Sequence, residues 1–430
     1  MRRVARGWAR PYHSPVPVAV SPYASLRVPN FRRYVIAVVA MTLATMFQGT
    51  IVGWQIYELT HDPLSLGLIG LAEALPFFGS ALIAGHYADL HDRRKIAIGA
   101  LLVFAASAVA LLVLPTILGG SPGTLVRAIY AVIVVSGVAR AFLQPARQAL
   151  GAEVVPRELF ANSVTWRSGA WQLAAVIGPA LGGGLFAVGG SQLAYATDAL
   201  LTVVAIGLLI TVNRVPPAPR KNVEPIGKSM AAGVRFVFQE KMILGSISLD
   251  MFSVLFGGAV ALLPIYADEI LHVGPSGLGL LRSAPAIGAV ITSFALTHTK
   301  PFQRSGMVLF RSVAIFGTTV IVFGLSTSFL MASLALAAGG AADMVSVFIR
   351  STLLTTRTPS EMLGRVMSVN GIFVGSSNEI GAFESGLTAD WFGAGPAVVL
   401  GGVLTLAVVA VTAWKNPALR KLGALDPQGG

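Results

Sequence analysis

Apolar runs of about 20 residues recur along most of this 430-residue chain, and each is long enough to cross a bilayer as a helix. Such a run cannot be a strand of an outer-membrane barrel, whose strands are about 10 residues long and alternate in polarity. Nor can so many runs share one water-soluble core. Only 12% of the residues are charged, against about 25% in ordinary soluble domains. The runs predict twelve spans, near 34–57, 64–88, 96–115, 125–147, 163–188 and 192–212, then 242–267, 274–297, 306–325, 329–352, 366–388 and 394–414. The expected fold class is therefore all-α integral membrane.

The charges fall between these spans. With the N terminus inside, the inside loops hold Arg93, Arg94 and Lys95; Arg157; Arg214, Arg220 and Lys221; Lys300 and Arg304; and Arg357 and Arg365. The C-terminal tail adds Lys415, Arg420 and Lys421. The outside loops hold Asp62, Asp268, Glu269 and Asp390, with Arg127 at the outer end of span 4 as the nearest exception. This asymmetry predicts both termini in the cytoplasm, and it accounts for the net charge of +12 without nucleic acid. The chain has no cysteine and its six histidines show no metal spacing. No metal site and no cofactor are expected. The first residues, with Arg2, Arg3, Arg6 and Arg10 and no apolar core, are not a signal peptide. They read as a basic cytoplasmic tail, or as the result of a start codon placed too far upstream.

The chain repeats itself. IYELTHDPLSLGLIGLAEALP at 56–76 resembles IYADEILHVGPSGLGLLRSAP at 265–285, pairing Tyr57 with Tyr266 and Pro76 with Pro285 at an offset of 209. VPRELFANSVTW at 155–166 resembles TPSEMLGRVMSV at 358–369, pairing Pro156 with Pro359 and Glu158 with Glu361 at an offset of 203. Between the copies lies NRVPPAPRKNVEPIGK, rich in proline and basic residues and read as a linker. The expected organisation is a tail at 1–33, a six-helix half at 34–213, a linker at 214–241, a second six-helix half at 242–414 and a tail at 415–430. Six spans repeated once in parallel make two pseudo-symmetric halves.

On these grounds and on three motifs, the chain is identified as a member of the major facilitator superfamily. GHYADLHDRRK at 85–95 resembles the superfamily's signature between helices 2 and 3 through Gly85, Asp89, Arg93, Arg94 and Lys95; Asp92 stands where many members have glycine. AVIGPALGGG at 175–184 resembles the glycine–proline motif of exporters and antiporters through Gly178, Pro179, Gly182 and Gly183, with Ala174 where an earlier glycine is usual. PSEMLGRVMS at 359–368 resembles the loop between helices 10 and 11. The resemblance covers roughly residues 25–415. PARQAL at 145–150 and SNEIGAFESG at 377–386 look most like the branch of the enterobactin exporter and the macrolide efflux proteins. It implies that Asp89 and the basic cluster lock the cytoplasmic side, and that helices 1, 4, 7 and 10 line a cavity. Read without the resemblance, DxxxRRK is ordinary flanking charge and GPALGGG is small-residue helix packing.

Polar residues at helical spacing support that cavity. Span 1 carries Thr42, Thr45, Gln48 and Gln55; span 4, Ser136, Arg140, Gln144 and Arg147; span 7, Ser246, Asp250, Ser253 and Gly257; span 10, Gly339, Asp343, Ser346 and Arg350. Charges inside a membrane are costly and mark function by default; the alternative is an ion pair that holds helices together, such as Arg140 with Asp343 or Asp250. Span 11 carries both Glu379 and Glu384, about 140° apart around the helix. One is expected to face the cavity or span 2, which carries Glu73. The other is expected to be tied to neighbours, with Arg282 of span 8 one candidate. Desolvation favours the protonated form of a carboxylic acid, the property a proton-coupled carrier needs.

No GxxxxGK[ST] nucleotide loop and no HExxH motif is present, so neither a nucleotide motor nor an enzyme is expected. The function expected is a secondary active, proton-coupled exporter of a small amphipathic molecule (a siderophore, drug or metabolite) in the bacterial inner membrane, acting as a monomer. The alternatives are an importer of the same fold, or a transport-dead receptor or scaffold. Met46, Phe47, Trp54, Met251, Phe252 and Phe256 would suit a bulky cargo.

Overall fold

A computed structural model describes residues 21–213, 226–300 and 302–425. The N-terminal residues, Arg214, Arg220 and Lys221 lie outside the described residues. The first helices are α1 (Pro29–Thr60), α2 (Pro63–Leu90), α3 (Arg93–Leu118), α4 (Pro122–Glu153) and α5 (Phe160–Ile210). Two short turns are closed by aspartate caps. Asp62 accepts from the backbone N–H groups of Leu64 and Ser65 at 3.2 and 2.9 Å. Asp92 accepts from Arg94 and Lys95 at 3.0 and 3.3 Å. Asp92 thus starts α3 by N-capping, which explains how the loop turns without the glycine usual there.

α5 holds two spans. They are separated at Gly189 and Gly190, whose backbone is non-helical, Gly190 having φ 63°. Glycine adopts that conformation without steric cost. The expected linker is partly helical: α6 (Ile226–Gln239) buries Val237 against Ile243, Leu354 and Val366. α7 (Lys241–Phe256) ends at Gly257 and Gly258. The span continues as a 3₁₀ turn at Ala259–Leu262, the single turn α8 (Leu263–Ile265) and a π turn at Tyr266–Ile270. Irregular backbone at membrane depth is tolerated where protein buries it or it lines a cavity, and here it does line one. α9 (Gly274–Thr297), α10 (Ser305–Gly324), α11 (Phe329–Arg357), α12 (Ser360–Phe392), α13 (Ala394–Lys415) and the short α14 (Pro417–Arg420) complete the chain.

Ten helical stretches among the described residues are long and apolar enough to cross a membrane. Two differences separate that number from twelve. Arg157–Ile210 counts as one stretch although it breaks at its glycines. α12 is absent from the ten although it is 33 residues long; it carries Glu361, Arg365, Glu379, Glu384 and Asp390.

The internal repeat is visible in the packing. A Cβ on Gly137 would lie 2.8 Å from the carbonyl oxygen of Glu73 and from Pro76 of α2; one on Gly340 would run into Pro285 of α9. These two contacts superimpose at the repeat's own offsets, 340 − 137 = 203 and 285 − 76 = 209. Likewise Gly70 meets Ala382 where Gly279 meets Pro179. Small residues let these helix backbones approach closely in a membrane.

One end of the bundle carries Asp62, Asp268, Glu269 and Asp390, and the other carries Arg93, Arg157, Arg304 and Arg357. At the acidic end a single apolar cluster spans both halves, joining Tyr57, Leu66 and Ile129 to Tyr266, Leu278 and Phe323. Towards the basic end the clusters are separate. One holds Tyr34, Ala97 and Leu143; another holds Leu249, Leu309 and Leu353. The halves are therefore welded at the acidic end and packed independently at the basic end.

Candidate functional site

A cavity of about 440 Å³ lies between the halves, within the range of small-molecule sites. α1, α2, α3 and α4 line it from one side, and α7 with the broken segment after it, α9, α10, α11 and α12 from the other. Its wall is mostly apolar, including Val52, Leu111, Phe316 and Phe323. Of the residues expected from sequence, Gln48, Glu73, Arg282, Asp343 and Glu379 face it together.

Arg140 joins them through α2. Its guanidinium donates to both Glu73 oxygens, at 2.7 and 3.1 Å, the bidentate geometry that makes an arginine–carboxylate pair strong. Its Nη1 also lies 3.8 Å from Glu379. One arginine thus stands between two glutamates on different halves, each about a quarter exposed. The expected pairing of Arg140 with Asp343 or Asp250 is not what forms, because α4 packs on α2 and brings Glu73 within reach first.

Asp250 sits behind the cavity and is ion-paired with Arg350 of α11, both side chains almost fully buried. Asp343 lines the cavity and also borders the small gap beside that pair. Among the described residues it makes no ion pair and no hydrogen bond. Arg282 is likewise without a carboxylate: its Nη1 lies 3.4 Å from the Thr50 hydroxyl and its Nε is buried without an acceptor. The expected tie between a span-11 glutamate and Arg282 is therefore absent. Glu384 turns off the cavity and accepts instead from Thr388 at 3.1 Å, one turn along its own helix.

Gln55 and Gln144 lie off the cavity. Gln55 is buried and accepts from the Tyr195 hydroxyl at 2.6 Å. Gln144 accepts from Arg147 at 2.8 Å, nearer the basic end. None of Met46, Phe47, Trp54, Met251, Phe252 or Phe256 lines the cavity. Phe47 packs against Gly182, and Phe252 stacks on Phe256 at 6.4 Å. One acid escaped sequence reasoning. Asp198 is buried in the second arm of α5 and accepts from Gln48 at 3.2 Å. A lone acid within an apolar span was the signal that marked it.

The motif residues build the interfaces. A Cβ on Gly178 would come within 2.8 Å of Met46, and Gly182 lies against the Phe47 backbone, so both seat α5 on α1. Gly183 and Pro179 abut Pro275 and Gly279 of α9, in the other half. Gly67 and Gly386 bring α2 and α12 together in the same way. Tyr57 closes the acidic end by donating a short hydrogen bond to Glu269 across the halves. At the basic end Arg93 is ion-paired with Glu153 of α4. Arg94 donates to the carbonyls of Leu209 and Ile210 at 2.9 and 2.5 Å, capping the end of α5 as cations favour. Both contacts stay within the N-terminal half. Gly85 is open, with room for a side chain; Lys95 is exposed; and the Asp89 side chain lies outside the described residues.

Residues 20–428 match the family described as Transmembrane secretion effector. The enterobactin exporter EntS of Citrobacter koseri is 27% identical over 382 residues, 88% of this chain and 86% of the relative. The exporter of that name from Escherichia coli O1:K1 is 26% identical over the same shares. Among solved structures, a bacterial homolog of the human lysosomal transporter Spinster, inward-facing and unoccupied, has a TM-score of 0.68 at 15% identity, covering 91% of this chain and 96% of that one. The nucleoside transporter NupG has a TM-score of 0.71 at 12% identity, covering 90% and 99%. These structures share the fold. The chain is a multi-pass membrane transporter, and it belongs to the transmembrane secretion effector family of the major facilitator superfamily.

Proposed function

We propose that the protein is a proton-coupled exporter of a small amphipathic molecule in the bacterial inner membrane, working as a monomer with both termini in the cytoplasm. The observation that carries this reading is the cavity between the halves. Its mostly apolar wall suits an amphipathic cargo, and its carboxylates, Glu379 and Asp343 first among them, suit proton exchange. The name of the relatives, enterobactin exporter, supports outward transport of a siderophore-like cargo.

In this orientation the basic end is cytoplasmic. The weld at the acidic end then corresponds to a carrier closed towards the outside. Loading from the cytoplasm requires the basic ends to part; release requires the Tyr57–Glu269 contact and the glycine seams at the acidic end to open. Glu379 bridges the halves by way of Arg140. Protonating it removes one of the two negative charges that hold that arginine, so a proton and the seam between α2 and α12 become linked. The basic motif holds the N-terminal half together through Arg93 and Arg94, and Asp89 is proposed to complete the cytoplasmic lock in the outward-open state.

The test is accumulation of enterobactin in inverted membrane vesicles containing the protein. Accumulation that needs a pH gradient and collapses with a protonophore is expected. Accumulation that follows ATP alone, with the gradient held constant, would overturn the coupling; no accumulation would overturn this cargo class.

A further inference from the structure

The repeat offsets that align the packing also align the charges, and they reverse them. Glu73 of α2 corresponds to Arg282 of α9, 282 − 73 = 209. Arg140 of α4 corresponds to Asp343 of α11, 343 − 140 = 203. Arg147 and Arg350 are matched at the same offset of 203, which fixes the register. In the N-terminal half the acid and base are joined by two hydrogen bonds. In the C-terminal half the swapped pair stands open: Arg282 and Asp343 both line the cavity and make no ion pair with each other or with any other described residue.

The surroundings of Arg282 are shaped for something further. Gly49 and Gly53 of α1 face its guanidinium: a Cβ at either would lie 3.7 or 3.8 Å from a terminal nitrogen. Their missing side chains leave space on that face. The Thr50 hydroxyl at 3.4 Å is a marginal acceptor, and Nε has none. A guanidinium presents five donors in a planar fork that matches an oxyacid. Leaving such donors buried and unanswered is costly, so the site gains from any acid that enters.

The geometry points to Arg282 as the anchor that reads the acidic group of the cargo, which takes at Arg282 the place that Glu73 takes at Arg140. The class of ligand is an apolar organic acid: an oxyacid for Arg282 on a body that suits the apolar wall with Phe316 and Phe323. This deepens the exporter reading and rests on it.

The test uses the full-length chain in lipid nanodiscs and two probes of nearly equal shape, 2-naphthoate and its uncharged amide, titrated by calorimetry. Wild type is expected to bind the acid about tenfold or more tightly than the amide, the value of one charge-assisted contact. Arg282→Gln is expected to bind both alike. Thr50→Asp places a carboxylate on Arg282 from within, so it too loses the preference while its melting temperature stays at or above that of wild type. Equal binding of the two probes by wild type, or a preference that survives in Thr50→Asp, would overturn the anchor. A wild type without the acid preference but with proton-driven vesicle flux sinks the anchor alone. A wild type with the preference but without that flux sinks the coupling alone.

Discussion

Asp250 and Arg350 make a pair whose removal has a calculable cost. Their side chains are 7% and 6% exposed, so neither charge has solvent to fall back on. Replacing Asp250 by asparagine leaves the Arg350 charge buried. The gap beside the pair is about 10 Å³, the lower limit for one water, so at most a single water can reach the stranded charge. Breaking such a pair costs about 3–5 kcal/mol. A domain of this half's size loses about 2–4 °C of melting temperature per kcal/mol. Asp250→Asn is therefore expected to melt about 6–20 °C below wild type in nanodiscs, followed by tryptophan fluorescence. Adding Arg350→Gln removes the stranded charge and is expected to recover most of that loss, a coupling visible in a double-mutant cycle. If Asp250→Asn melts within about 2 °C of wild type, the pair is not structural and the reasoning fails.

Other outcomes follow from the seams and the gate. Tyr57→Phe removes the hydrogen bond to Glu269 that ties the halves at the acidic end; a bond to a charged group is worth about 1.5–3 kcal/mol, so spin-label distances across that end should show roughly a tenfold or larger gain in the open population. An unchanged distance distribution would refute the tie. Gly386→Val forces a side chain into α2 at Gly67; overpacking of about 1–3 kcal/mol should lower the melting temperature and slow transport, whereas Gly85→Ala, at a position with open space, should do neither. Glu384→Gln loses only a contact to Thr388 on its own helix and should keep proton-driven flux; its loss would return Glu384 to the coupling site.

The apolar runs and the charge asymmetry were enough to read the fold, because bilayer thickness fixes helix length and little else competes with it. The α5 break was legible in Gly189 and Gly190; the α6 helix was hidden by the prolines and charges around it. Site residues were legible as a set but not as pairs. Glu73, Arg140, Arg282, Asp343 and Glu379 stood out as costly charges, yet which carboxylate meets which arginine depends on interhelical packing, and spacing along one helix carries no information about that. The exchange of Glu73 for Arg282 and of Arg140 for Asp343 was present in the repeat all along, since both fall at the offsets fixed by Tyr57 and Pro156. It acquires meaning only when one pair proves closed and the other open. The aromatic residues picked from spans 1 and 7 faced elsewhere, because an apolar side chain in a membrane helix is equally at home against lipid, core or cavity.

The proposed proton coupling rests on Glu379. In proteoliposomes with an imposed pH gradient, wild type is expected to drive enterobactin against its own gradient, while Glu379→Gln retains counterflow exchange and loses the gradient-driven component, with Arg140 still held by Glu73 and the melting temperature little changed. Gradient-driven transport by Glu379→Gln at the wild-type rate would contradict it.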